Sequence, residues 1–154
     1  MAGTIEKRLA ELGISLPQPL APVANYVPFV ISGKQVFVSG QVPIVDGKPV
    51  HLGTCGDSIS TEDAARAARI CAINLLAQAR AAAGDLDNIA RVVKLVGFVS
   101  SAPGFTEQPK VVNGASDLMV EVFADRGRHA RSAVGVAALP LGVSVEVEAV
   151  FELA

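Results

Sequence analysis

Hydrophobic and polar positions recur along this chain with two periods, and the switches between them mark its elements. Near the end the period is two. Val143, Val145, Val147, Ala149 and Phe151 fall on one side and Ser144, Glu146 and Glu148 on the other, which predicts a half-buried strand over Val143–Leu153. In the middle the period is helical. Ala65, Ala68, Ala72, Leu75, Ala79 and Ala82 recur from a Ser60-Thr61-Glu62-Asp63 start to Gly84, a Ser N-cap with acids in the first turn and a glycine stop. A second helix follows Pro109, with Val111, Val112, Ala115, Leu118, Met119 and Val122 as its buried stripe.

The other segments fill in the order. Thr4–Leu12 predicts a short amphipathic helix ending at Gly13, and Leu16–Val23, with three prolines, an extended connector. Tyr26–Ile31 and Gln35–Gln41 predict strands joined by Ser32-Gly33-Lys34, and Asp46-Gly47 marks a turn. His51–Ser58 reads as a loop, Val92–Val99 as a β-branched strand, Pro103–Glu107 as a loop, Arg126–His129 as a polar turn and Arg131–Val136 as a strand. The order is ββαβαββ after a small N-terminal helix. It predicts an α+β fold with one mixed sheet and two main helices packed on one face. Without a repeat or low-complexity linker, residues 1–154 read as one domain: 1–21 the helix and its Pro-rich connector, 22–154 the core.

Composition changes this picture in one respect. Hydrophobic residues make up 51% of the 154 and charged residues only 18%, with mean hydropathy +0.45. No apolar stretch reaches the roughly 20 residues of a membrane span, so the surplus is expected between subunits. The first residues carry no apolar secretory core, and Cys55 and Cys71 make no disulfide framework. A cytoplasmic protein with free thiols is the reading. A net charge of −2 without a run of Lys or Arg argues against a nucleic-acid partner.

Candidate chemistry is sparse. Two histidines and two cysteines fit no zinc spacing. No phosphate loop or dinucleotide fingerprint occurs, and the positions of His51 and His129 give no support to a Ser-His-acid triad. Arg131 stands out on an otherwise apolar strand. It could grip a carboxylate with two parallel hydrogen bonds, or simply pair with Glu146 or Glu148. Those two acids share a strand face, as general-base candidates if enclosed and as a wet face if not. Tyr26, the lone tyrosine, opens the first strand. Asn113 and Gly114 interrupt the second helix, where neither is favoured, and close packing is one explanation. Cys71 reads as core and Cys55 as a loop thiol.

Three segments in order, Val36-Phe37-Val38-Ser39-Gly40-Gln41-Val42-Pro43, Ala130-Arg131-Ser132-Ala133-Val134, and Leu139-Pro140 leading into Val145-Glu146-Val147-Glu148-Ala149, resemble the YjgF/Rid family. These are the reactive intermediate deaminases, also called endoribonuclease L-PSP-like. The resemblance spans roughly Pro22 to Phe151. It implies a chorismate-mutase-like fold and a homotrimer with clefts between subunits. The implied activity is hydrolysis of small 2-imino or enamine acids to 2-keto acids and ammonia, with no metal or organic cofactor. It also implies roles: Arg131 pairing with the substrate carboxylate, Glu146 acting on water, Tyr26 closing the cleft, and Asn113, Gly40 and Ala133 lining it. The chain departs from the pattern at Ala133, where active members often carry Cys or Thr. It departs again at His129, where they carry Pro, and at Ala24-Asn25-Tyr26 in place of Gly-Pro-Tyr. An extra N-terminal helix and a longer Ser100–Pro109 loop add to a divergent branch. The alternatives are a non-catalytic binder of small carboxylate or carbonyl compounds and an RNA-cleaving or translation-inhibiting protein.

Overall fold

Alternation of apolar side chains sets the strands of the computed structural model, which describes residues 3–22 and 24–154. Strands β1 (Phe29–Ser32), β2 (Gln35–Gln41), β5 (Ile89–Ser100), β6 (Ala130–Val136) and β7 (Val145–Leu153) form one sheet in the order β1-β2-β7-β5-β6. All neighbours are antiparallel except β5 and β6, which run parallel across the helical connection between them. A two-residue hairpin, β3 (Ile44–Val45) and β4 (Lys48–Pro49), surrounds the predicted Asp46-Gly47 turn. Such short pairing lies below what periodicity can detect.

Helices α1 (Thr4–Glu11), α2 (Thr61–Ala83) and α3 (Gln108–Phe123) occupy their predicted places. Ser60 caps α2 by accepting from the Asp63 amide, and Gly84 ends it at φ 80°. Every predicted stripe residue of α3 is buried. On α2 the buried face is wider than one stripe, running without a break from Asn74 to Ala79. Its small side chains let the sheet, α3 and the N-terminal connector approach from three sides. Gly114 marks the closest of these approaches, since a Cβ there would lie 1.9 Å from the Ala65 carbonyl oxygen. Close packing therefore accounts for this glycine.

The strand boundaries differ from prediction most at β1, β5 and β7. The first strand begins at Phe29 rather than Tyr26, because Pro28 has no amide to give a ladder. The segment is instead tethered through carbonyls: Val27 accepts from Ser39 Oγ at 2.8 Å and Pro28 from the Ser39 amide at 2.9 Å. Strand β5 extends to Ile89 and Ser100 beyond the predicted Val92–Val99. Val143 and Ser144 precede β7, Ser144 being fully buried with its hydroxyl donating to the His51 carbonyl at 2.7 Å. Both cysteines are completely buried, Cys55 through a backbone bond from its amide to Ser100. Burial raises both thiol pKa values, that of Cys71 most.

The core lies between the sheet and the two long helices. Val36, Val38, Val92, Leu95, Val99, Val145, Val147 and Phe151 point into it. On the opposite face Phe37 and Val134 are each 45% exposed in the single chain. Helix α1 is held from a distance: the Asp87 carboxylate accepts the amides of Thr4 and Ile5 at 2.8 Å each, and Glu6 pairs with Arg80 at 3.2 Å. An acid at the positive end of the helix does what the Gly3 N-cap cannot. The connector that follows reaches α2, where Gln78 Nε2 donates to the Leu20 carbonyl at 2.8 Å. Val23, the last residue of the predicted connector, lies outside the described residues.

Candidate functional site

Register in the sheet decides where the polar candidates go. Arg131 is opposite Leu95 on β5 and Ala133 is opposite Gly97, so both side chains take the helix-covered face at the β6 edge. Glu146 is opposite Phe98 and Glu148 is opposite Val96, on the uncovered face. The sheet itself separates Arg131 from both acids. An ion pair between Arg131 and either glutamate within one chain is thereby excluded, because a one-residue difference in strand parity sends side chains to opposite faces.

Arg131 is held by helix α3. Its Nη1 donates to Asn113 Oδ1 at 2.8 Å and to Ser116 Oγ at 3.2 Å. Asn113 and Ser116 are three residues apart and so share a helix face. Ser116 Oγ also lies 2.9 Å from His129 Nε2, and His129 Nδ1 lies 2.6 Å from the Gly127 carbonyl. A carbonyl only accepts, so Nδ1 carries a proton. In the neutral ring Nε2 then accepts from the Ser116 hydroxyl, whose lone pairs remain for Arg131. Both bonds from Arg131 use one nitrogen, and the Nη2–Nε edge keeps the geometry that fits a carboxylate. The half-buried Ala133 on the same face adds no polar atom.

The second group of candidates sits in a cleft at the other end of the sheet. Tyr26, Gly40 and Glu146 line it together with Gln41 and the Leu20–Pro22 connector. Between Val38 and Gln41, β2 carries one residue more than β7 does between Val147 and Ala149. This bulge brings Gly40 against the acid, and a Cβ on Gly40 would lie 2.9 Å from Glu146 Cδ and Oε1. Only glycine leaves room for the carboxylate there. Burial raises the pKa of Glu146, and the neighbouring Glu148 charge adds to the rise. Tyr26 is 49% exposed at the rim. The predicted residues thus form two separate groups: Arg131 with Asn113 and Ala133, and Glu146 with Gly40 and Tyr26.

Sequence reasoning missed Ser116 and Gln78. The signal for Ser116 was its helical spacing from Asn113. For Gln78 it was a polar residue inside an alanine-rich apolar face.

The model of the family described as "YjgF/chorismate_mutase-like, putative endoribonuclease" matches residues 6–153. The chain belongs to the YjgF/chorismate mutase-like family. Protein TCP17 of Trypanosoma cruzi is 51% identical over 153 residues, covering 99% of this chain and 96% of that protein. The crystal structure of Atu1372 from Agrobacterium tumefaciens, a protein of unknown function, is 52% identical. It superposes with a TM-score of 0.91 over 97% of this chain and 92% of that one. The YjgF gene product of E. coli is more distant, 27% identical with a TM-score of 0.62 over 90% of this chain and 94% of that one. The α+β YjgF-type fold expected from the Ser-Gly-Gln, Ala-Arg-Ser and Leu-Pro…Glu segments is the fold observed. Among the described residues no helix is long and apolar enough to cross a membrane, and no three His, Cys, Asp or Glu side chains converge as metal ligands.

Proposed function

We propose that this chain is a deaminase of small reactive 2-imino or enamine acids, working in clefts between copies of a homotrimer. The observation that carries the proposal is the division of the candidates into two half-sites on opposite faces of one sheet. One half holds a cation prepared for a carboxylate, Arg131 on Asn113 and Ser116. The other holds an acid of raised pKa laid over Gly40 beside Tyr26. A single chain cannot apply both to one small molecule, whereas two adjacent copies can. The apolar uncovered face, with Phe37 and Val134 exposed, supplies the surface on which copies would meet.

In such a cleft Arg131 of one subunit fixes the substrate carboxylate and places the imine carbon near Glu146 of the next. Water adds to that carbon while the Glu146 carboxylate takes its proton. The same carboxyl returns this proton to the imine nitrogen, leaving a carbinolamine. It then takes the hydroxyl proton and delivers it to the amine as the C–N bond breaks, giving ammonia and a 2-keto acid. Orientation and modest acid–base help are sufficient for an already electrophilic carbon.

The test generates 2-iminopropanoate in situ with an amino-acid oxidase and follows keto-acid release. Acceleration over the spontaneous rate, lost in Arg131→Ala, is the expected result. No acceleration with any of several amino acids overturns the deaminase reading.

A second reading, a trimer that binds small carboxylates without turnover, draws on Ala133, which gives the Arg131 half-site no further polar group. Calorimetric binding of a 2-keto acid without acceleration of imine hydrolysis would favour it. RNA cleavage or inhibition of translation receives little support from a chain of net charge −2.

A further inference from the structure

We infer that the N-terminal connector and the Leu139–Gly142 turn make the Glu146 cleft a pocket for an apolar substrate side chain, selecting branched or aromatic 2-imino acids over the alanine-derived one. The inference rests on the deaminase reading and assigns that site its substrate class.

The cleft is polar at the Glu146 carboxylate, at Gln41 and at the hydroxyls of Tyr26 and Ser39, the latter spent on the Val27 carbonyl. Its other side chains are hydrocarbon, chiefly Leu20, Pro22, Ile44 and Leu141. Its volume is about 170 Å³. Apolar cavities of roughly 150 Å³ take up a benzene ring, so an isobutyl or benzyl group fits and a methyl group leaves most of the wall unused. With the substrate carboxylate on Arg131 and its reacting carbon at Glu146, the remaining substituent is the one that reaches this wall.

Two structural features hold these apolar groups at the cleft. Leu141 is a non-glycine residue at φ 62°, a backbone conformation unfavourable for a bulky side chain, and is 60% exposed at the cleft. Leu20 is brought to the cleft by a connector whose carbonyl is gripped by the fully buried Gln78. The segment is fixed further back through the contacts of Asp87 and Arg80 with α1. The N-terminal segment therefore serves as a wall of the site as well as covering α2.

The experiment compares imines generated from alanine and leucine with wild type, Leu20→Glu and Gln18→Glu. Gln18 lies exposed on the same connector outside the cleft, so its variant controls for charge and for disturbance of the segment. Wild type and Gln18→Glu are expected to favour the leucine-derived imine at least tenfold in kcat/KM, as a few methylenes in an apolar pocket allow. Leu20→Glu should bring the ratio near one by lowering the leucine-derived kcat/KM far more than the alanine-derived one. A wild-type ratio near one, or an unchanged ratio in Leu20→Glu, overturns the inference.

If neither imine is turned over faster than spontaneously, the deaminase reading falls and calorimetry decides the pocket separately. Binding of 4-methyl-2-oxopentanoate at least tenfold tighter than 2-oxopropanoate supports the apolar wall. Equal affinities, or no binding of either, overturn it.

Discussion

Arg131 and Glu146 show how much a residue's meaning depends on the side of the sheet it occupies. Both were visible in the sequence as polar residues on apolar strands, and both invited a simple ion pair. Strand register places them on opposite faces, and each acquires a different set of neighbours. For Arg131 these are neutral acceptors, which leave its charge available. Arg131→Ala should therefore weaken 2-keto acid binding by about 10–100-fold, the range expected for hydrogen bonds to a charged group. Its thermal midpoint should barely move, as measured by calorimetry and a melting curve. For Glu146, burial and Glu148 raise the pKa, so the acid loses its proton later than an ordinary glutamate. The limb of rising activity should accordingly have its inflection above the usual carboxylate range and should disappear in Glu146→Gln, read from a kcat/KM profile against pH. The linkage to stability has the matching sign. The folded chain holds this proton more tightly than the unfolded one, so the contribution is full below the unfolded pKa. It is lost as pH rises through the raised folded value.

At the scale of elements, α3 does more than cover the sheet. Its apolar stripe was fully legible, since six residues at helical spacing leave little choice of face. Its polar side was not, because Asn113 and Ser116 gain their role only when β6 passes beside them. Gly114 joins the two sides. It lets α3 sit directly on the Ala65 carbonyl of α2, which sets the height of Asn113 above the β6 edge. Gly114→Ala must push the helices apart and should cost about 1–3 kcal/mol, measured by denaturant unfolding. Arg131-dependent binding should weaken in the same variant while the fold persists. The short β3–β4 hairpin and the late start of β1 escaped prediction for related reasons. Two-residue strands carry no periodicity, and the backbone amide missing at Pro28 outweighs the apolar pattern around it.

Over the whole molecule, an unusually apolar chain leaves one face of its sheet uncovered. Phe37 is central to this prediction, being exposed in the single chain and distant from Arg131 and Glu146 along the strands. Phe37→Asp should leave the monomer folded by circular dichroism. It should reduce the proposed trimer, three times 15.8 kDa, to a single chain by light scattering. If the cleft is completed by a neighbouring copy, deamination should vanish in the same variant. A trimer that persists, or a monomer that retains full activity, would contradict the shared site.

The sequence by itself determined the order of the main elements, the inward stripes of α3 and β7, and the family, because periodic burial and short motifs are local properties of the chain. It also singled out Arg131, Glu146, Asn113 and Tyr26 from their own chemistry, and Gly40 through the family resemblance. Only the tertiary structure decided which of them stand together. That depends on strand parity, on one bulge between Val38 and Gln41, and on helix-to-strand contacts between residues far apart in sequence. These are relations between elements, and no pattern along a single element contains them.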